Sequence, residues 1–191
     1  MVLCLIISCY DLFIQNTWAL QLKQINFFTF ANMKYERLTK EQFEELHQEF
    51  INFLATQSIT AEEWSDIKKN KPEVAEEELD IFSDLVWEGV LKKVEYLEHI
   101  SAQFLFMFRF TEVQIDLIKI EIKNPSIDIT TDEGYKWLQN NLLADEVEIH
   151  EASKALSDDR NKDIFALIKQ GANITKGKLF NYFRDWIDAQ D

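Results

Sequence analysis

Few residues in this chain could do chemistry, and their spacing narrows the options at once. The histidines are His47, His99 and His150. Glu44-x-x-His47 puts a carboxylate and an imidazole on one helical face. A di-iron carboxylate bundle uses that pairing, but it needs a second Glu-x-x-His and further inward glutamates. His99 follows Glu95 and Glu98 at the wrong spacing, so the second motif is missing. A zinc-protease helix needs two histidines on one face, and no two of these three lie in one segment. His47 therefore reads as a solvated helix residue and His99 as a cation favoured near a helix C-terminus. His150 reads as the wet face of a strand. Gly89, Gly134, Gly171 and Gly177 are too dispersed to cradle a phosphate with neighbouring backbone N–H groups. No serine sits in a Gly-x-Ser-x-Gly elbow. Cys4 and Cys9 both precede Met33, so no thiolate nucleophile or ligand follows it. The expectation is no catalytic residue, no metal site and no cofactor.

Charge points the same way. The formal net charge is −14. Residues 33–99 hold 8 basic and 17 acidic side chains, which repels phosphate backbones. Glu76-Glu77-Glu78 are neighbours in sequence and cannot face one another on a helix, so they read as a solvated face. One local basic excess runs from Arg160 to Arg184 and includes Lys162, Lys169, Lys176 and Lys178, with Phe180 and Tyr182 among them. Lys176, Lys178, Tyr182 and Arg184 are the candidate contacts there, for an acidic partner or nucleic acid. Six cations spread over two helices do not make one phosphate-binding face. No affinity for duplex DNA or structured RNA is expected.

Around these residues the chain divides at Met33. MKYERLTKEQFEELHQEF reads as a bacterial start running into a capped amphipathic helix. MVLCLIISCYDLFIQNTWALQL before it lacks the basic flank of a secretory signal. Asp11, Gln15 and Asn16 interrupt it as a membrane span. Residues 1–32 are expected to be upstream translation that folding does not need, and residues 33–191 a single domain. With no cysteine after Met33, a reducing cytoplasm fits.

The periodicities give an α+β domain. Thr39-Lys40-Glu41-Gln42 and Thr60-Ala61-Glu62-Glu63 are capping boxes. The first opens a helix with Phe43, Leu46, Phe50, Phe53 and Leu54 inward, ending near Gln57-Ser58. The second opens a short helix stopped by Asn70-Lys71-Pro72. A long third helix is expected from Pro72 to His99, with Phe82, Val86, Val90, Val94 and Leu97 in its stripe, Trp87 and Leu91 widening it, and Asp84 and Glu88 on the wet side. Gly89 in its middle implies close approach of another backbone. Phe104, Phe106, Phe108 and Phe110 then alternate, turn at Thr111-Glu112, and return through Val113–Ile122. This is an antiparallel hairpin with its Phe face inward and a bulge near Leu117-Ile118. A helix capped at Thr130-Thr131-Asp132-Glu133 follows. Val147 and Ile149 form a possible third strand, and residues 151–162 a loop. A C-terminal helical pair follows, the first helix near Asp163–Gln170 and closing at Gly171, the last from about Thr175 to Ala189.

ITAEEWSDIKKNKPEVAEEELDIFSDLVWEGVLKKVEYLEH, with MKYERLTKEQFEEL and the tail ITKGKLFNYF, resembles an uncharacterised bacterial family, a domain of unknown function. The resemblance runs from about Met33 to Ile187, and Val86-Trp87-Glu88-Gly89 is its most specific part. It implies no site residue. The residues favour a cytoplasmic interaction or scaffolding protein that performs no catalysis, with a protein partner and no membrane. Trp87 would be its hot spot if the ring were exposed. The alternative is a small enzyme or ligand-binding protein with a site of dispersed residues. A third reading is nucleic-acid binding through the C-terminal pair.

Overall fold

The computed structural model describes residues 33–190. The segment expected to be dispensable, 1–32, lies outside the described residues. The chain divides into two compact units, the first ending at Lys92 and the second beginning at Lys93.

The first unit is helical: α1 (Lys40–Glu45), α2 (His47–Thr56), α3 (Ala61–Asn70) and α4 (Pro72–Leu91). Both capping boxes form, with Thr39 and Thr60 accepting from the Gln42 and Glu63 N–H groups. The expected first helix is kinked in two at Leu46, which turns that side chain into the core. Phe82 of α4 anchors the unit. Its ring centroid lies 5.8, 5.1 and 5.4 Å from those of Phe43, Phe50 and Phe53. Trp64 packs edge-on against Phe50.

α4 stops at Leu91, eight residues before His99, and its expected wet side is occupied. Residues 33–39 run antiparallel along it. The Lys34 and Tyr35 N–H groups donate to the two Asp84 oxygens at 2.7 and 2.9 Å. Lys34 Nζ and the Tyr35 hydroxyl reach Glu88. Arg37 bonds Asp80 and Glu76, and the Leu38 N–H donates to Ser83 Oγ at 3.2 Å. Asp80, Asp84 and Glu88 are four apart, so they lie along one face and form a landing strip. Among the described residues nothing lies within 4 Å of a Cβ built on Gly89, so close approach of another described backbone does not explain that glycine.

The second unit is a five-stranded antiparallel sheet in the order β4-β3-β2-β1-β5. The strands are β1 (Tyr96–Ile100), β2 (Phe104–Phe110), β3 (Gln114–Ile122), β4 (Val147–Ala155) and β5 (Asn173–Thr175). Helices α5 (Asp132–Asn140), α6 (Arg160–Lys169) and α7 (Lys178–Asp188) complete it. β1 replaces the end of the expected long helix. The β2–β3 register runs unbroken from Phe104 opposite Glu121 to Phe110 opposite Ile115, so there is no bulge at Leu117-Ile118. The third strand is real and extends to Ala155, into the expected loop. Thr175 belongs to β5, and the last helix begins at Lys178.

The hairpin's inward face is reversed at three of the four phenylalanines, while Phe110 is buried as expected. Leu105 and Met107 of β2 join Ile118, Ile120 and Ile122 of β3 in the core, against Ile129, Leu138, Phe180 and Phe183. Phe104, Phe106 and Phe108 project from the opposite face and are half-buried. Gly177 at the α7 N-cap has φ +71° and no side chain to cap the helix. Glu98 of β1 takes that role, accepting from the Thr175 hydroxyl at 3.0 Å and from the Leu179 N–H.

A buried charge ties three strands together on the core face. Asp116 accepts from Arg109 Nε and Nη2 at 3.0 and 2.7 Å, from Gln114 at 2.6 Å and from Ser153 at 2.7 Å. Burial pushes its carboxyl up, but the Ser153, Arg109 and Gln114 bonds outweigh that and hold it below the ordinary value. A depressed folded pKa stabilises fully above the unfolded value, about 3.9, and the benefit is lost as pH falls through the folded pKa. Asp116→Asn should therefore cost about 1.5–3 kcal/mol at neutral pH. The gap to the native protein should close as pH drops below about 4. Urea titrations at several pH values check this; a gap that widens on acidification contradicts it.

Candidate interaction face

The face opposite this core carries three half-buried phenylalanines. Alternation along β2 puts Phe104, Phe106 and Phe108 in one line. Their rings stack, with centroids 5.9 and 6.5 Å apart. Cross-strand partners set the surroundings. Lys119 lies opposite Phe106 and also opposite His150, and Glu121 lies opposite Phe104 and Glu148. Lys119 Nζ sits 5.2 Å from the Phe104 ring centroid and bonds Glu121 at 2.6 Å. The His99 ring is 6.0 Å from Phe106, held by its Nδ1 contact to the Gly171 carbonyl at 3.0 Å. The result is an apolar line with a rim of ion pairs.

One corner of the rim could be taken for a metal site. Glu121, Glu148 and His150 bring ligand atoms within 4.8 Å of one another. Both carboxylates already hold lysines: Lys119 on Glu121, and Lys123 on Glu148 at 2.5 Å. The Lys123 ammonium, then His150, keep the Glu148 carboxyl below its ordinary value. A divalent cation would have to displace two ammonium groups. The residues fit an ion-pair network better than a metal centre.

The residues singled out from sequence do not come together. Trp87 is in the first unit, 7% exposed, and its Nε1 donates to the Glu36 carbonyl at 2.9 Å. It is an internal anchor. Lys176 is exposed in the turn before α7. Lys178 and Tyr182, both exposed, share one face of α7 at i,i+4. Arg184 faces another way and is engaged by Glu151 and by Asp188 at 3.7 Å. It also lies over Phe180. Lys176, Lys178 and Arg184 therefore offer no common basic face. His47 is exposed, with Nδ1 3.2 Å from the Glu44 carbonyl rather than its carboxylate.

A family model described as a family of unknown function (DUF6495) matches residues 33–188. The chain belongs to that family. No curated protein and no solved structure matches it. The match spans both units, so the Phe104–Phe108 face lies inside what defines the family. Among the described residues no helix is long and apolar enough to cross a membrane. The alternation points all four phenylalanines to the core, and of the four Phe110 is the buried one. Lys119 opposite Phe106 was the available signal for the reverse, because a lysine on the same face favours the wetter side.

Proposed function

We propose that this is a bacterial cytoplasmic interaction protein that performs no catalysis, with the Phe104–Phe106–Phe108 line as its contact surface. The supporting observation is three stacked rings held outside the core behind a rim of paired charges. Interfaces have this make-up, with an aromatic centre and a polar border. Aromatic anchors contribute most of the binding energy in such surfaces. The bonds of His99 and His150 to a backbone carbonyl and a carboxylate give neither a nucleophile to activate.

The test uses the full chain as bait, native and as Phe106→Glu. Co-purifying proteins held by the native chain should be lost with the variant, while its thermal midpoint stays within a few degrees. Retention of every partner by Phe106→Glu removes this face from the function. Aromatic rings on a sheet can also stack single-stranded bases. A labelled single-stranded RNA bound by the native chain and released by Phe106→Glu would reassign the face. The net charge of −14 opposes that outcome.

A further inference from the structure

The sheet's outer edge is a second surface, carried by different observations. β4 is nine residues long, and among the described residues β3 is its one strand neighbour. Two flanking bonds fix the phase of that pairing: Lys123 N–H to Glu146 O at 2.8 Å and Leu156 N–H to Val113 O at 3.1 Å. Hydrogen-bonded residues alternate along an antiparallel pair. Glu148, His150, Ala152 and Lys154 therefore turn their backbone groups toward β3, in the continuous register with Glu121, Lys119, Leu117 and Ile115. Val147, Ile149, Glu151, Ser153 and Ala155 turn theirs outward. Long edges are commonly blunted by proline, a bulge or charged side chains. β4 contains no proline and no bulge, and its charged side chains, Glu148, Glu151 and Lys154, are spaced so that a second copy can match two of them.

We propose that β4 pairs with β4 of a second copy, antiparallel and two-fold about Glu151, joining two sheets into one. In this register Val147 meets Ala155 of the second copy, Ile149 meets Ser153, and Glu151 meets Glu151. All are outward residues, so each meeting is a hydrogen-bonded pair. Glu148 then lies opposite Lys154 of the second copy. That is a non-hydrogen-bonded pair, where side chains approach most closely and opposite charges stabilise. Centring on His150 would instead set Glu148 against Ala152, and centring on Ala152 would set Lys154 against His150. The register with the longest overlap is thus also the charge-matched one. Its repulsive element is Glu151 facing its own copy, and each Glu151 is already bonded to Arg184. The Phe104–Phe108 lines of both copies fall on one side of the joined sheet, so a partner would meet them in pairs.

Sedimentation of the full chain across a concentration series tests the pairing. A monomer–dimer equilibrium is expected. Lys154→Glu sets like charges across both Glu148 positions and should weaken the dimer at least about fivefold. Mixing Lys154→Glu with Glu148→Lys should restore it, because both 148–154 pairs in that heterodimer have opposite signs. Amide exchange supplies a readout that does not depend on variants. The 147, 149, 151, 153 and 155 amides should be protected in the dimer and open on dilution. A chain that stays monomeric, a dimer indifferent to Lys154→Glu, or protection persisting in the dilute monomer would each overturn the proposal.

Discussion

Trp87→Ala should cost about 3–5 kcal/mol, the usual range for emptying a buried aromatic site. The ring is 7% exposed, and its Nε1 closes on the Glu36 carbonyl 51 positions away. The substitution opens a cavity and releases the segment that lies along α4. Trp87→Phe separates the two effects. It keeps most of the apolar surface but removes the donor to a part-buried carbonyl, a loss of about 1–3 kcal/mol. Urea denaturation of both variants should rank them native, Phe, Ala. If the alanine variant lies within about 1 kcal/mol of native, far below the usual cost, the site relaxes around the gap and Trp87 is not the anchor described.

The elements that were legible in the sequence are those with local signals. Thr39, Thr60 and Thr131 each cap a helix through their own side chain. Gly171 takes the positive φ that its place after α6 suggested. The misreadings share one physical cause: a non-local partner decided the outcome. Val94 and Leu97 fit a helical stripe extended from α4 and fit a strand equally well. Pairing of Tyr96–Ile100 with β2 settles the matter. Leu117 and Ile118 resemble a slip in phase because both faces of β3 carry apolar residues, one in the core and one beside the phenylalanines. Asp84 and Glu88 look solvated until residues 33–39 fold back on them. The candidate face is three of four alternating phenylalanines, Phe110 being buried, and its direction depended on which side α7 covers. That contact joins residues more than 70 positions apart, Met107 and Phe180 among them.

Two glycine-to-alanine substitutions with opposite expected signs test the packing beneath these elements. Gly89 lies inside α4 with open space where a Cβ would go. Alanine there should stabilise by up to about 1 kcal/mol, because glycine is the costlier helix residue. Gly134 also lies in a helix, in the first turn of α5, so propensity alone predicts the same gain. Packing reverses it. A Cβ would stand 1.9 Å from the Asp128 carbonyl oxygen and 2.4 Å from its carbon. Those are backbone atoms, and their loop is pinned. The Ile129 N–H donates to the Ala102 carbonyl at 2.9 Å, and its side chain is 1% exposed in the core. Gln103 Nε2 holds the Ile127 carbonyl at 3.2 Å, and the Thr131 hydroxyl holds the Asp128 carbonyl at 2.8 Å. Either α5 or this loop must move. Overpacking against ordinary side chains costs about 1–3 kcal/mol, and a clash with fixed backbone belongs at or above the top of that range. Set against a propensity gain of about 1 kcal/mol, the net loss should be about 2 kcal/mol or more. Thermal and urea midpoints of the two variants should move in opposite directions from native. A Gly134→Ala protein as stable as Gly89→Ala would show that the loop at Asp128 yields, and that the bonds to Ala102 and Gln103 do not hold it.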